Sequence, residues 1–82
     1  MTADLLTQRA RKLSRLDFEI ETLQRRLDRE REVHRQMQKH GFPLTHVELG
    51  IKDIAEELAH LVAARLALME EMATDPAGTK FS

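Results

Sequence analysis

The chain has 82 residues, no cysteine and a formal net charge of −1 at pH 7. A chain of this length forms one small domain with a limited core, so support from a partner or a second copy is expected. The lack of cysteine excludes disulfides and thiolate chemistry, and no apolar run approaches the ~18 residues of a membrane span. These features predict a cytoplasmic protein.

The first pattern in the chain covers residues 3–40 and predicts a helix. Apolar residues recur there at alternating spacings of three and four, which is typical of a helix that packs one side against another helix. Arg9, Glu30 and His34 fill the remaining positions of this seam. We expect Glu30 and His34 to fix the register of the helices as a polar break. The apolar members of the seam are Leu6, Leu13, Leu16, Ile20, Leu23, Leu27 and Met37.

A stop signal, a turn and a start signal follow within residues 41–45. Gly41 suits the left-handed position just past a helix C-terminus, and Pro43 prevents the helix from continuing. Thr45 and Glu48 have the spacing of a capping box, in which each side chain binds the backbone N–H of the other residue. A link this short predicts that the two flanking helices form an antiparallel hairpin.

The second helix is expected over residues 46–73, and one apolar stripe on it faces the first helix. Arg65 occupies a gap in that stripe, where we expect it to meet Ile20 in the seam, with Asp17 and Glu21 within reach as partners. The apolar members of this stripe are Val47, Ile51, Ile54, Leu58, Leu61, Leu68 and Met72.

The second helix carries another apolar stripe beside the first. One partner helix covers only a narrow band, so this additional surface would stay in water in a single hairpin. It predicts a homodimer in which two hairpins form a four-helix bundle. The expected dimer contacts, which we call the second stripe, are Ala55, Ala59, Val62, Leu66 and Met69.

Residues suited to catalysis or metal binding are sparse. The chain has only three glycines, which leave no phosphate-binding loop, and Ser14 has no histidine at hydrogen-bonding spacing along its helix. Glu57 and His60 have the Glu-x-x-His spacing of some bundle metal sites, but they fall on the polar side of the second helix. The sequence therefore predicts no enzyme activity, no metal and no cofactor.

The outer side of the first helix is rich in arginine and has one aromatic residue among the arginines. Aromatic and arginine side chains dominate the binding energy of protein interfaces, but they can also stack on bases and neutralise phosphates. We expect this surface to bind a partner, and we call it the arginine face. Its members are Arg11, Arg15, Phe18, Arg25 and Arg29.

Two kinds of partner are compatible with the arginine face. The hairpin plan is similar in architecture to Rop, whose dimer binds paired RNA loops through its first helix, and this likeness implies nucleic acid as the alternative partner. Acidic residues interleave with the arginines, however, and pairs such as Glu21–Arg25 and Glu32–Arg35 suit ordinary surface salt bridges. The favoured prediction is therefore a protein partner.

The sequence as a whole predicts an all-α protein, with a single helical-hairpin domain over residues 1–73 and a flexible C-terminal tail over residues 74–82. The expected role is a non-enzymatic protein–protein interaction module, such as an adaptor, inhibitor, chaperone or assembly component. No membrane association is expected, because folding itself uses the apolar faces.

Overall fold

The computed structural model describes residues 2–73, with side chains from residue 4 onward, and this part of the chain is all-helical. Helix α1 spans Thr2–Lys39 and helix α2 spans Thr45–Ala73. They pack along each other as a hairpin with extents of 62 × 19 × 15 Å. The expected all-α hairpin is confirmed, and the tail expected over residues 74–82 lies outside the described residues.

Helix α1 ends in a glycine cap. Gly41 has a φ of +74°, a left-handed conformation that a residue without Cβ adopts at little cost. Its N–H donates to the carbonyl of Gln38 at 3.2 Å, and the N–H of Phe42 donates to the carbonyl of Met37 at 2.9 Å. These two bonds form the Schellman motif and satisfy carbonyls at the helix end. The role predicted for Gly41 is confirmed.

Helix α2 begins differently from the predicted capping box. The N–H of Glu48 donates to the carbonyl of Leu44 at 2.9 Å, so Leu44 rather than Thr45 occupies the N-cap position. The Glu48 carboxylate lies 3.0 Å from the His34 ring on α1, and no hydrogen bond joins Thr45 to Glu48 within residues 2–73. The capping-box prediction is wrong, because the helix begins one residue earlier and Glu48 contacts α1.

The facing seams of the two helices form a small core. Leu23, Leu27 and Ile54 are its buried centre, and Leu58 and Leu61 pack against them. Burial of these side chains is the main stabilising term in the hairpin. The predicted seams are confirmed except for Leu6, which is exposed. The buried apolar residues are Leu16, Leu23, Leu27, Val47, Ile54 and Leu68.

Two contacts between side chains define the register of the hairpin. Arg65 Nε donates to Asp17 Oδ1 at 2.5 Å, and His34 Nε2 lies 3.0 Å from Glu48 Oε2. In each pair the two residue numbers add up to 82. A residue of α1 and a residue of α2 whose numbers add up to 82 therefore lie at the same height along the hairpin, and we call such residues level. Ala73 at the end of α2 is therefore level with position 9, and Leu6 is exposed because it extends past α2.

Candidate interaction surfaces

The arginine face lies on the outer side of α1, where each of its five residues is exposed. Phe18 is 69% exposed, the highest value among the large apolar residues that the structure describes. Its carbonyl accepts a hydrogen bond from Thr22 Oγ1 at 2.8 Å, which is a contact within the same helix. Phe18 therefore contributes little to the core of the hairpin, and its ring is available to another molecule.

The charges around Phe18 are only partly neutralised within the chain. Arg25 Nη2 donates to Glu21 Oε1 at 2.6 Å, while Arg11, Arg15 and Arg29 make no ion pair or hydrogen bond within residues 2–73. Exposed ion pairs between neighbouring turns of a helix contribute only ~0.3–0.5 kcal/mol. The face therefore offers three unpaired guanidinium groups and one weakly held one.

The predicted salt bridges on α1 are both present. In addition to Glu21–Arg25, Arg35 donates to Glu32. Glu21 consequently does not join Arg65, and that part of the prediction for Arg65 is wrong. The reason is proximity, because Glu21 and Arg25 lie one turn apart on the same helix face. The predicted contact between Arg65 and Asp17 is confirmed.

The second stripe is exposed along its full length on one flank of the hairpin. An open groove of about 510 Å³ follows it and is also lined by Leu27 and Arg31 of α1. Arg65 connects this flank to the seam, because its Nη1 donates to the sulfur of Met69 at 3.2 Å. Within residues 2–73 no other segment covers the stripe, so an apolar surface on α2 remains open to water.

The polar break near the turn has a partner that sequence reasoning missed. Glu30 and His34 are half-buried in the seam, as predicted, and Glu48 pairs with His34 across the hairpin. The position of the turn does not predict this pair: the midpoint between Lys39 and Thr45 is residue 42, which would place Gly50 rather than Glu48 level with His34. The arrangement connects the start of α2 to α1 and suits the predicted role in fixing the register.

A second groove, which the sequence did not reveal, lies beside the turn and has a volume of about 670 Å³. Val33 and Leu49 are exposed along it, and Asp53 and Glu57 lie at its border. Gly50 also lines it, and a Cβ added to Gly50 would meet nothing within 4 Å. The packing of the hairpin therefore does not require a glycine at this position.

The polar residues of the hairpin do not converge as metal ligands do. Within residues 2–73 no group of three or more His, Cys, Asp or Glu side chains could hold a metal ion. Glu57 and His60 are both exposed on α2, on the polar side predicted for them. In the same part of the chain, neither helix has the length and apolar character needed to cross a membrane.

Comparison with known proteins identifies no relative of this chain. No protein-family model, curated protein or solved structure matches it. The choice between functions therefore depends on the exposed surfaces of the hairpin, which are the arginine face, the second stripe and the groove beside the turn.

Proposed function

We propose that this hairpin is a non-enzymatic protein-binding module of the cytoplasm that acts as a dimer, in the role of an adaptor, inhibitor, chaperone or assembly component. In this proposal the second stripe joins two copies into a four-helix bundle, and the arginine face binds the partner protein. The observation that carries it is the 69% exposure of Phe18 beside guanidinium groups that have no partner within residues 2–73.

The composition of the arginine face supports a protein partner. Complete burial of an exposed phenylalanine contributes roughly 2–3 kcal/mol through the hydrophobic effect. Arginines around it can pair with carboxylates of the partner in two-pronged hydrogen bonds. An aromatic anchor with charged neighbours is the usual composition of an interface hot spot.

The second stripe supports association of two copies. Val62, Leu66 and Met69 are large apolar residues exposed on the same flank, and the alanines beside them allow close approach of a second helix. Small monomers gain little from their own core, so covering this flank would add substantially to stability. A second hairpin has the length and the apolar surface to cover it.

Nucleic acid is the second candidate for the arginine face, and the same exposure of Phe18 favours it. Single-stranded bases stack on exposed aromatic rings, and arginines neutralise phosphates. The carboxylates of Glu21 and Glu32 oppose this candidate, because they already pair with two arginines of α1. They would also repel a phosphate backbone, so a protein partner remains the favoured proposal.

Phe18→Ala tests the proposed site, and Phe42→Ala is its matched control. Phe42 is 57% exposed but lies in the turn, away from the arginine face. Immobilised wild-type and variant chains are used to capture partners from a lysate of the native host, with and without nuclease treatment. We expect Phe18→Ala to lose a nuclease-resistant protein partner that wild type and Phe42→Ala retain, with circular dichroism showing equal helix content.

The other outcomes separate the two candidates. A partner that disappears after nuclease treatment, together with a retarded RNA band in a gel shift, would support nucleic acid. In that case Arg29→Ala should reduce the salt dependence of binding by about one unit of slope. Equal capture by wild type and Phe18→Ala would remove the arginine face from the proposal.

A further inference from the structure

The second stripe changes in side-chain size along α2. Ala55 and Ala59 lie toward the turn, Val62 is in the middle, and Leu66 and Met69 lie toward the far end. Two parallel copies of α2 would place alanine against alanine and leucine against leucine, with gaps at one end and crowding at the other. Antiparallel copies place each alanine opposite a large side chain, which is how close-packed interfaces fill space.

The α1 side of the same flank is polar and would cover the stripe poorly. Gln24 and Arg31 border the grooves on this flank, and Asp17 holds Arg65 there. If α1 of a second copy lay over the stripe, these polar groups would face apolar side chains and lose water without a partner, whereas stacking α2 on α2 places the polar flank of α1 against the same polar flank of the other copy. The second stripe of another copy is therefore a better cover than α1.

Charges at the two ends of the flank also favour the antiparallel arrangement. Lys52 lies on α2 toward the turn and has no ion pair or hydrogen bond within residues 2–73. Glu70, which has a contact inside its own chain, lies toward the far end. Antiparallel copies bring Lys52 toward Glu70 of the second copy, whereas parallel copies bring each charge toward its own equivalent, which is repulsive.

We infer that two copies pack α2 against α2 in antiparallel orientation, with Val62 on the two-fold axis, and that this brings both Phe18 side chains onto one edge of the dimer. This inference rests on the dimer proposed above. Ala55 and Met69 are each seven residues from Val62, so the axis places Ala55 of one copy opposite Met69 of the other. Stacking the hairpins in this way also places α1 of one copy over α1 of the other.

The register of the hairpin gives the position of Phe18 in that dimer. The numbers of level residues on α1 and α2 add up to 82, so Val62 is level with Ile20. The two-fold axis at Val62 therefore crosses α1 at the height of Ile20. Phe18 lies two residues away, or ~3 Å along the helix, so the two copies of Phe18 are ~6 Å apart in height. Packed helices lie ~10 Å apart, and the two Phe18 backbone positions are therefore separated by ~12 Å.

The result is one composite surface made by both copies. Phe18 lies opposite the seam on α1, because Leu16 and Ile20 on either side of it face α2, and this position is on the same edge of the dimer in each copy. Its ring borders a groove that Leu61 of α2 also lines, and Arg11 and Arg25 flank it along α1. The surface has two aromatic rings at its centre and arginines at both ends. It fits a single acidic protein surface that receives both rings, and each copy alone supplies only half of it.

Phe18→Cys tests this geometry directly, because the chain has no other cysteine. The full-length variant is labelled with a nitroxide, and the distance between labels in the dimer is measured by pulsed electron paramagnetic resonance. We expect a distance below about 25 Å, from the ~10 Å helix spacing plus two label arms. Labels on opposite edges, more than about 30 Å apart across the bundle, would overturn the inference.

Disulfide formation supplies a second measurement that does not alter Phe18. Val62→Cys should form a dimer by oxidation, since residues near a two-fold axis can reach the ~4.4–6.8 Å Cα separation of a disulfide. A mixture of Ala55→Cys and Met69→Cys should cross-link more than either variant alone. Ala64→Cys is the matched control, because it is exposed on α2 but lies off the second stripe and should not cross-link.

The possible failures are distinguishable. A wild-type chain that stays monomeric would contradict the proposed dimer itself. A dimer with distant labels and no Val62→Cys cross-link would leave the proposed dimer standing and overturn its antiparallel arrangement. A short label distance in a dimer whose Phe18-dependent ligand is RNA would overturn the acidic protein partner inferred for the composite surface.

Discussion

The two apolar stripes of α2 have similar spacing, but the hairpin covers only one of them. Leu68 is 4% exposed, whereas Leu66, two residues earlier, is 58% exposed. Two residues correspond to ~200° around a helix, so Leu68 packs against α1 while Leu66 faces away from it. Apolar periodicity thus predicts that a helix face will be covered, and the remainder of the structure determines what covers it.

The contrast also defines how the two stripes contribute to stability. Leu68 stabilises every folded hairpin, since it is buried within one chain. Covering Val62, Leu66 and Met69 would contribute roughly 1–2 kcal/mol for each half-exposed side chain, but only at concentrations where a partner is bound. The seam therefore specifies the fold, and the second stripe is suited to specifying an assembly.

The largest effect is expected for Leu66→Glu. If a second copy covers the stripe, the new carboxylate would be buried without a partner, at a cost of several kcal/mol. We expect the dimer to dissociate to the 9.5 kDa chain with helix content retained. Light scattering measures the mass and circular dichroism the helix content.

Leu49→Glu is the control for that experiment. Leu49 is 55% exposed, close to the value for Leu66, but it lies beside the turn and off the second stripe. We expect this variant to remain a dimer. If both variants kept the mass of wild type, the second stripe would not be the dimer interface. If only Leu49→Glu dissociated, the dimer interface would be the groove beside the turn.

The next effects concern two glycines that the structure uses differently. Gly41 has a φ of +74°, which strains any other residue, so Gly41→Ala should lower the free energy of unfolding by about 1 kcal/mol. Gly50 is helical with open space around its Cβ position. Gly50→Ala should therefore raise the free energy of unfolding by ~0.5–1 kcal/mol.

Urea unfolding of both variants measures the two opposite shifts. Because a Cβ at Gly50 meets nothing in the single hairpin, a loss of stability in Gly50→Ala would mean that another molecule approaches this backbone. That outcome would add the groove beside the turn to the contacts of the assembly. A neutral Gly41→Ala would contradict the glycine cap.

Local signals made much of this fold predictable from the sequence. Gly41 was identifiable because a single residue type suits a helix end, and Arg65 with Asp17 because a cation within the seam needs a nearby carboxylate and Asp17 lies within its reach. The partner of Glu48 was not identifiable from spacing, since the same carboxylate could cap its own helix or reach His34. That choice depends on where α2 begins and on the register, which are properties of the packed hairpin.

The surfaces were predictable to a different extent. Exposure of Phe18 followed from its position opposite the seam, and exposure of the second stripe followed from its width. The groove beside the turn was not predictable, because Val33 on α1 and Leu49 on α2 come together only through the turn. The identity of a partner lies in another molecule, and neither periodicity nor burial in this chain encodes it.

The smallest effect is expected for Thr45→Ala. Leu44 accepts the first helical hydrogen bond of α2, and the Thr45 hydroxyl has no hydrogen-bond partner within residues 2–73. An exposed substitution of this kind changes stability by less than about 0.5 kcal/mol, whereas removal of a true N-cap costs about 1 kcal/mol. Urea unfolding of wild type and Thr45→Ala measures the change in the free energy of unfolding and distinguishes these two values. Thr22→Ala, which removes a hydroxyl that does bond to a carbonyl, is unfolded in parallel for comparison. A loss of about 1 kcal/mol in Thr45→Ala would mean that the capping box forms in solution and that Glu48 leaves His34 to form it.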